Sequence, residues 1–227
     1  MSANKLYNTN KIDGILFDMD GTVLDSEGLF DQAQLKLLNE YGVSVDVNEL
    51  SEFKGMSYKD FYPRFMSKFQ ITGDVDSLRL KLRTYLHRIM EGGLQYIDGF
   101  EDFYSQFIRG ENIKVGIVTN TTRLTYNKIE TCVNINEYFQ FSITATESEE
   151  PKPSPVPYIQ AMNELSLTPD RTLIIEDSKT GIISAVRSGA RVVGITTSLS
   201  RDEIKDIDTR IYVVESYPEI GEYLQNC

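Results

Sequence analysis

Two aspartates one residue apart, Asp18 and Asp20, follow directly on a short apolar run, Ile15-Leu16-Phe17, and precede Gly21 and Thr22. The apolar run reads as a buried parallel strand. Asp18 then stands at its carboxyl end, where open α/β sheets bind ligands. In extended backbone, residues i and i+2 share a side, so both carboxylates face one bound group. Gly21 permits a tight turn beneath them. Such a pair suits a phosphate ester. One carboxylate attacks phosphorus; the other, with a raised pKa, protonates the leaving oxygen and later activates water. Asp-x-Asp-Gly alone also fits a solvated turn or the start of a calcium loop. A calcium loop needs Glu at its twelfth position. Counted from Asp18, that position is Leu29, which excludes it.

Three further stretches carry candidate chemistry. The run Val115-Gly116-Ile117-Val118 ends in Thr119-Asn120, where a hydroxyl and backbone N–H groups suit phosphate oxygens; a strand-end turn is the plain alternative. Lys152 lies among Pro151, Pro153, Pro155 and Pro157. The prolines either make a stiff linker or a rigid loop that aims the ammonium at a phosphate and keeps Asp18 ionised. The run Leu173-Ile174-Ile175 ends in Glu176-Asp177. Adjacent carboxylates at a strand end call for a neutralising cation, and hard oxygens together with a phosphate suit Mg2+. Acids at a helix N-terminus are the other reading.

Asp18-Met19-Asp20-Gly21-Thr22 after an apolar strand resembles the first motif of the haloacid dehalogenase-like hydrolase superfamily. Thr119 resembles its phosphate-binding second motif, with Asn120 beside it. Lys152-Pro153-Ser154-Pro155 resembles the third, although Pro151 and Val156 stand where many relatives have Gly and Asp. Glu176-Asp177-Ser178 through Gly181 resembles the metal-holding fourth. All four occur in order, so the resemblance spans nearly the whole chain. It implies a Mg2+-dependent phosphatase acting on a small phosphate monoester, such as a sugar phosphate, through an aspartyl-phosphate. Asp18 is then the nucleophile and Asp20 the acid/base. Thr119, Asn120 and Lys152 hold the phosphate. Asp18, the main-chain oxygen of Asp20 and Asp177 hold the metal, with Glu176 joining directly or through water.

Two other functions fit the same architecture. A sugar phosphomutase would carry a cap histidine and arginine at positions where this chain has Phe30 and Tyr58; its only histidine is His87, for which a packing or surface role is expected. A non-catalytic binding protein would have lost Asp18, Asp20 or Lys152, and all three are present.

The elements that must position these residues read in sequence as follows. After a strand at 11–17, residues 25 to about 92 carry three helical patterns: 25–41, 57–69 beginning at a capping box on Ser57, and 77–91. Pro63 makes the first turns of the second uncertain. Beyond that point strands (114–120, 141–146, 172–177, 191–196, 211–215) alternate with helices (100–109, 122–132, 156–165, 179–188, 200–206, 218–225). Alternation implies a Rossmann-like, doubly wound parallel sheet with right-handed crossovers. The expected organisation is an α/β core of 11–24 and 93–227, a small all-helical cap of 25–92 inserted after the first strand, and a disordered lead-in, 1–10. Lys54 and Tyr58, in the segment 53–59, are candidate substrate-reading residues. The cap aromatics Phe30, Tyr58, Phe61, Phe65 and Tyr85 are expected to pack in the core.

Composition agrees. The 227 residues are 41% hydrophobic and 25% charged, ordinary for a globular chain, with a net charge of −11. An acidic chain lacks the basic surface nucleic acid requires, and for an anionic substrate it demands local cations or a metal. Cys132 and Cys227 form no framework, in keeping with free thiols in a reducing, cytoplasmic setting. No apolar run reaches membrane-spanning length. A monomer is expected, since no exposed apolar seam is evident.

Overall fold

The computed structural model describes residues 11–226; the expected lead-in, 1–10, lies outside them. Six parallel strands form one sheet in the order β3-β2-β1-β4-β5-β6. They are β1 (Gly14–Phe17), β2 (Lys114–Val118), β3 (Ser142–Ile143), β4 (Thr172–Glu176), β5 (Arg191–Ile195) and β6 (Tyr212–Val214). Sequence order reverses direction at β1, which lies between β2 and β4; this is the switch point at which doubly wound sheets leave a crevice.

Why the strands read as continuous apolar runs is clear from their two faces. Ile15 and Phe17 face a layer containing Phe100, Phe103 and Phe139, and Leu16 faces the opposite layer with Tyr158, Met162 and Ile174. Phe17 is fully buried and meets Phe139 edge-on at 5.3 Å between ring centres. Burial of each such side chain contributes roughly 1.5–3 kcal/mol.

The layers are built by α4 (Phe100–Phe107), α5 (Arg123–Cys132), α6 (Ile135–Tyr138), α7 (Val156–Glu164), α8 (Lys179–Arg187), α9 (Arg201–Ile207) and α10 (Tyr217–Gln225). Between β1 and α4 the chain makes a helical block of α1 (Glu27–Glu40), a 3-10 turn at Val47–Phe53, α2 (Tyr58–Lys68) and α3 (Val75–Gly93). Its entry and exit segments are pinned together: Asp25 N–H donates to Gln95 O at 2.9 Å and Ile97 N–H to Val23 O at 2.9 Å. Within the block, Phe53, Phe61, Phe65 and Phe69 form one aromatic cluster, with Phe61 stacked on Phe65 at 5.0 Å. Among the described residues no helix is long and apolar enough to cross a membrane.

Several expectations need correction. The strand expected over 141–146 is only Ser142–Ile143, because the Glu147 carboxylate captures both the N–H and the hydroxyl of Thr144 and turns the chain. The capping box at Ser57 does not form; Ser57 Oγ donates to Asp60 Oδ2 at 2.7 Å instead. Helix α2 runs through Pro63. The 3-10 turn at Val47–Phe53, with a capping box between Asp46 and Glu49, and the short α6 were not expected. A capping box does form at Ser200, where the expected helix begins, with Glu203 as its partner.

Candidate active site

Register sets the floor of the crevice. Phe17 pairs with Ile175 across β1 and β4, so the next residues, Asp18 and Glu176, emerge side by side on the same face as Leu16 and Ile174. Two buried carboxylates together are costly without a cation. Lys152 supplies it: Nζ donates to Asp18 Oδ1 at 2.5 Å and to Glu176 Oε1 at 2.6 Å, and the ammonium is only 2% exposed. Tyr158 on α7 adds a hydroxyl donated to Glu176 Oε1 at 2.7 Å. Glu176 Oε2 accepts from the N–H groups of Asp177 and Ser178 and from the Ser178 hydroxyl. Glu176 leaves no space beside it, since a Cβ on Gly181 would lie 1.9 Å from Oε1.

The proline-rich loop points Lys152 inward, but Asn120 fixes its backbone. Asn120 Oδ1 accepts from Lys152 N–H at 3.0 Å, and Nδ2 donates to Lys152 O and to Gly55 O, each at 3.1 Å. The Asn120 side chain, expected beside the phosphate, is therefore committed to holding two loops. Thr180 Oγ1 donates to the same Gly55 oxygen at 2.8 Å. Gly55 has φ of +67°, and a Cβ there would sit 2.9 Å from Ser178, so glycine is required for the loop to dock.

Asp20 stands across the crevice mouth. It accepts from Ser26 Oγ at 2.6 Å, Thr121 Oγ1 at 2.8 Å and Thr119 Oγ1 at 3.5 Å. Asp177 turns the other way and accepts from Thr22 Oγ1 at 3.1 Å and from the Ser198 hydroxyl. Gly21, with φ of +79°, passes so near that a Cβ would lie 2.2 Å from Asp177 Oδ2. Asp18, Glu176 and Asp177 each offer an oxygen within 4.8 Å of the others.

These groups perturb one another. Burial pushes the Asp18 carboxyl well above its usual range, and the charge of Glu176 adds to this against the pull of Lys152. Burial also raises Asp20, while its bonds from Ser26 and Thr121 oppose the rise. Burial disfavours the charge on Lys152, but Asp18 and Glu176 outweigh it and its pKa rises. One ammonium among four acids leaves the floor short of positive charge.

Asp18, Asp20, Thr119, Asn120 and Lys152 open on a cavity of about 160 Å³ whose other wall is the helical block. Lys54 and Tyr58 both line it. So do Phe30 and Phe61, which were expected only to pack; they do both. His87 is half-buried on α3.

A family model described as "Haloacid dehalogenase-like hydrolase" matches residues 15–195. The chain belongs to the haloacid dehalogenase-like hydrolases. Its similarity to single proteins is distant but nearly end to end. It is 26% identical over 208 residues to the validoxylamine A 7'-phosphate phosphatase of Streptomyces hygroscopicus subsp. limoneus, covering 91% of this chain and 97% of that protein. It is 22% identical to a phosphorylated carbohydrates phosphatase of Thermotoga maritima, covering 83% and 88%. A crystal structure of a conserved haloacid dehalogenase-like protein of unknown function from Agrobacterium tumefaciens superposes with a TM-score of 0.78 at 26% identity, covering 95% of this chain and 98% of that one. The expected superfamily and the Rossmann-like parallel sheet are thus borne out.

Residues that sequence reasoning did not single out in this hydrolase are the partners of the acids. Ser26 and Thr121 bond Asp20, Ser198 bonds Asp177, and Tyr158 bonds Glu176. Only Thr121 and Ser198 had a usable signal, as hydroxyls just past the ends of β2 and β5. Nothing local marks Tyr158.

Proposed function

We propose that this hydrolase is a Mg2+-dependent phosphatase that cleaves a small phosphate monoester through an aspartyl-phosphate on Asp18. The observation that carries the reading is the placement of Asp18 against Lys152 at the base of a cavity also lined by Asp20 and Thr119. Its relatives named for phosphorylated carbohydrates and for validoxylamine A 7'-phosphate support a polyhydroxylated leaving group.

In this reading an Asp18 oxygen attacks phosphorus as the bond to the leaving oxygen breaks, and Asp20 gives that oxygen its proton. Asp20 then takes a proton from water, whose oxygen attacks phosphorus and frees Asp18 with inorganic phosphate. The raised pKa of Asp20 suits a group that must begin protonated. Lys152 and Thr119 hold the non-bridging oxygens. The excess of buried carboxylates over ammonium fits a divalent cation, which Asp18, Asp177 and the main-chain oxygen of Asp20 would hold; Glu176, whose oxygens already carry Lys152, Tyr158 and Ser178, acts from behind. When bound, Mg2+ supplies charge neutralisation between the nucleophile and the phosphate. Residues 25–92 act as a cap that excludes water, over a core of 11–24 and 93–227.

The test is phosphate release from p-nitrophenyl phosphate with Mg2+ or with EDTA. Asp18→Asn is expected to lower the rate by about 10⁴-fold or more. Metal-independent release, or release undiminished in the variant, overturns the reading.

A further inference from the structure

We propose that the helical wall of the cavity is a second anion subsite, built by Arg79 and Arg83 of α3 with Gln34 of α1, and that the substrate's leaving group carries hydroxyls and a second anionic group. This inference rests on the phosphatase reading and specifies its substrate class.

Arg79 and Arg83 lie one turn apart on α3, both half-buried and both lining the cavity. Among the described residues, neither guanidinium has a carboxylate within ion-pair distance or donates a hydrogen bond. The contrast with other arginines is direct: Arg64 reaches Glu52, Arg123 reaches Glu147 and Arg210 reaches Asp208. In a chain of net charge −11, acids were available, and these two face the cavity instead. Arg79 lies over the Tyr58 ring at 4.6 Å. The ring attracts the cation without accepting its N–H donors in hydrogen bonds, so they stay available to an oxyanion.

Gln34 is an independent indication. It is 6% exposed, lines the same cavity, and its Oε1 is buried with no hydrogen-bond partner. A polar atom left that way costs roughly 1–3 kcal/mol. A ligand hydroxyl would satisfy it. Asp31, the acid on this wall, is offset by Lys54, whose charge opposes the rise that burial imposes on the carboxyl. What remains is two cations and an unpartnered amide, facing a phosphate site across a small cavity. The complementary ligand is a hydroxylated phosphate monoester bearing a carboxylate or a second phosphate.

The experiment compares glucose 6-phosphate, which has no second anion, with 6-phosphogluconate and fructose 1,6-bisphosphate. Two readouts are needed. One is kcat/KM for Mg2+-dependent phosphate release by the wild-type chain; the other is calorimetric Kd on the full-length Asp18→Asn chain with Mg2+. At least one of the two esters with a second anionic group should exceed glucose 6-phosphate by about tenfold in both, the scale of one charge-assisted hydrogen bond. That ratio should collapse toward one when Arg79→Gln and Arg83→Gln are combined, and Arg83→Lys should restore part of it. A gain for 6-phosphogluconate alone assigns the subsite to a carboxylate; a gain for fructose 1,6-bisphosphate alone assigns it to phosphate. Equal values for all three esters, or a preference that survives the double variant, overturn the proposal. If p-nitrophenyl phosphate is hydrolysed with metal but no ester is preferred, the subsite falls and the phosphatase reading stands. If nothing is hydrolysed while the binding preference appears and is lost in the double variant, the phosphatase reading falls and the subsite stands.

Discussion

The two walls of the cavity obey opposite rules. On the sheet side the acids and the buried lysine are tied to protein partners: Asp18 to Lys152, Glu176 to Lys152 and Tyr158, Asp20 to Ser26 and Thr121, Asp177 to Thr22 and Ser198. On the helical side Phe30, Tyr58 and Phe61 present rings, Lys54 offsets the one acid, Asp31, and Gln34 Oε1 has no partner. A wall whose charges bond to one another is preorganised and holds its geometry before ligand arrives. A wall with unmet polar atoms is complementary to something else. In the proposed reading, reaction chemistry belongs to the sheet and substrate choice to the helices.

Three substitutions put that contrast under strain. The largest effect is expected from Lys152→Met, which leaves Asp18 and Glu176 buried and uncompensated. Breaking such a pair costs on the order of 3–5 kcal/mol, read as a lower urea midpoint, and added Mg2+ should recover part of the loss. An unchanged midpoint would mean the sheet wall is not held by its charges. Asn120→Ala removes the bonds to Lys152 and Gly55. Phosphate release should fall about tenfold with a stability loss of roughly 1–3 kcal/mol; normal kinetics would show that the loops hold themselves. Lys54→Ala touches the helical wall and should lower kcat/KM for the preferred ester more than for p-nitrophenyl phosphate. Equal losses would remove Lys54 from substrate selection.

The smallest effect lies outside the cavity, at Glu147. Burial would raise its pKa, but bonds from Arg123 and Thr144 hold it down to about 2. A depressed folded pKa contributes stability that is fully present above the unfolded value, near 4.5, and is lost as pH falls toward 2. Glu147→Gln should therefore flatten the acid limb of a stability profile below about pH 4.5 and leave it unchanged at pH 7 in slope. A limb of unaltered slope would show that the Arg123–Glu147 pair does not couple to folding.

Much of the sheet was legible because its signals are local. Apolar runs such as Leu173-Ile174-Ile175 announce strands, and polar residues directly after them announce the crevice edge. The partial failures have one local cause and one distant one. The strand after residue 141 is shorter than its β-branched residues suggest because Glu147 decides where Thr144 turns. Asn120 was read as a phosphate contact because its position after β2 is visible in sequence, whereas its partners, Lys152 and Gly55, are far away in the chain.

What the sequence determined by itself is the set of candidate reactive groups and the strand ends or loop that carry them: Asp18 and Asp20, Thr119, Lys152, Glu176 and Asp177. The two-residue alternation of a strand and the short reach of a turn are enough for that. Tertiary structure alone decided which of these groups touch. The register of β1 against β4 brings Asp18 beside Glu176, and that depends on the packing of the whole sheet. It alone decided that Arg79 and Arg83 face the cavity. In sequence each immediately follows a residue of the apolar stripe Leu78, Leu82 and Leu86, as the solvated edge of any amphipathic helix would. Periodicity defines a helix's faces relative to each other, but only docking of α3 against α1 and α5 sets where a face points.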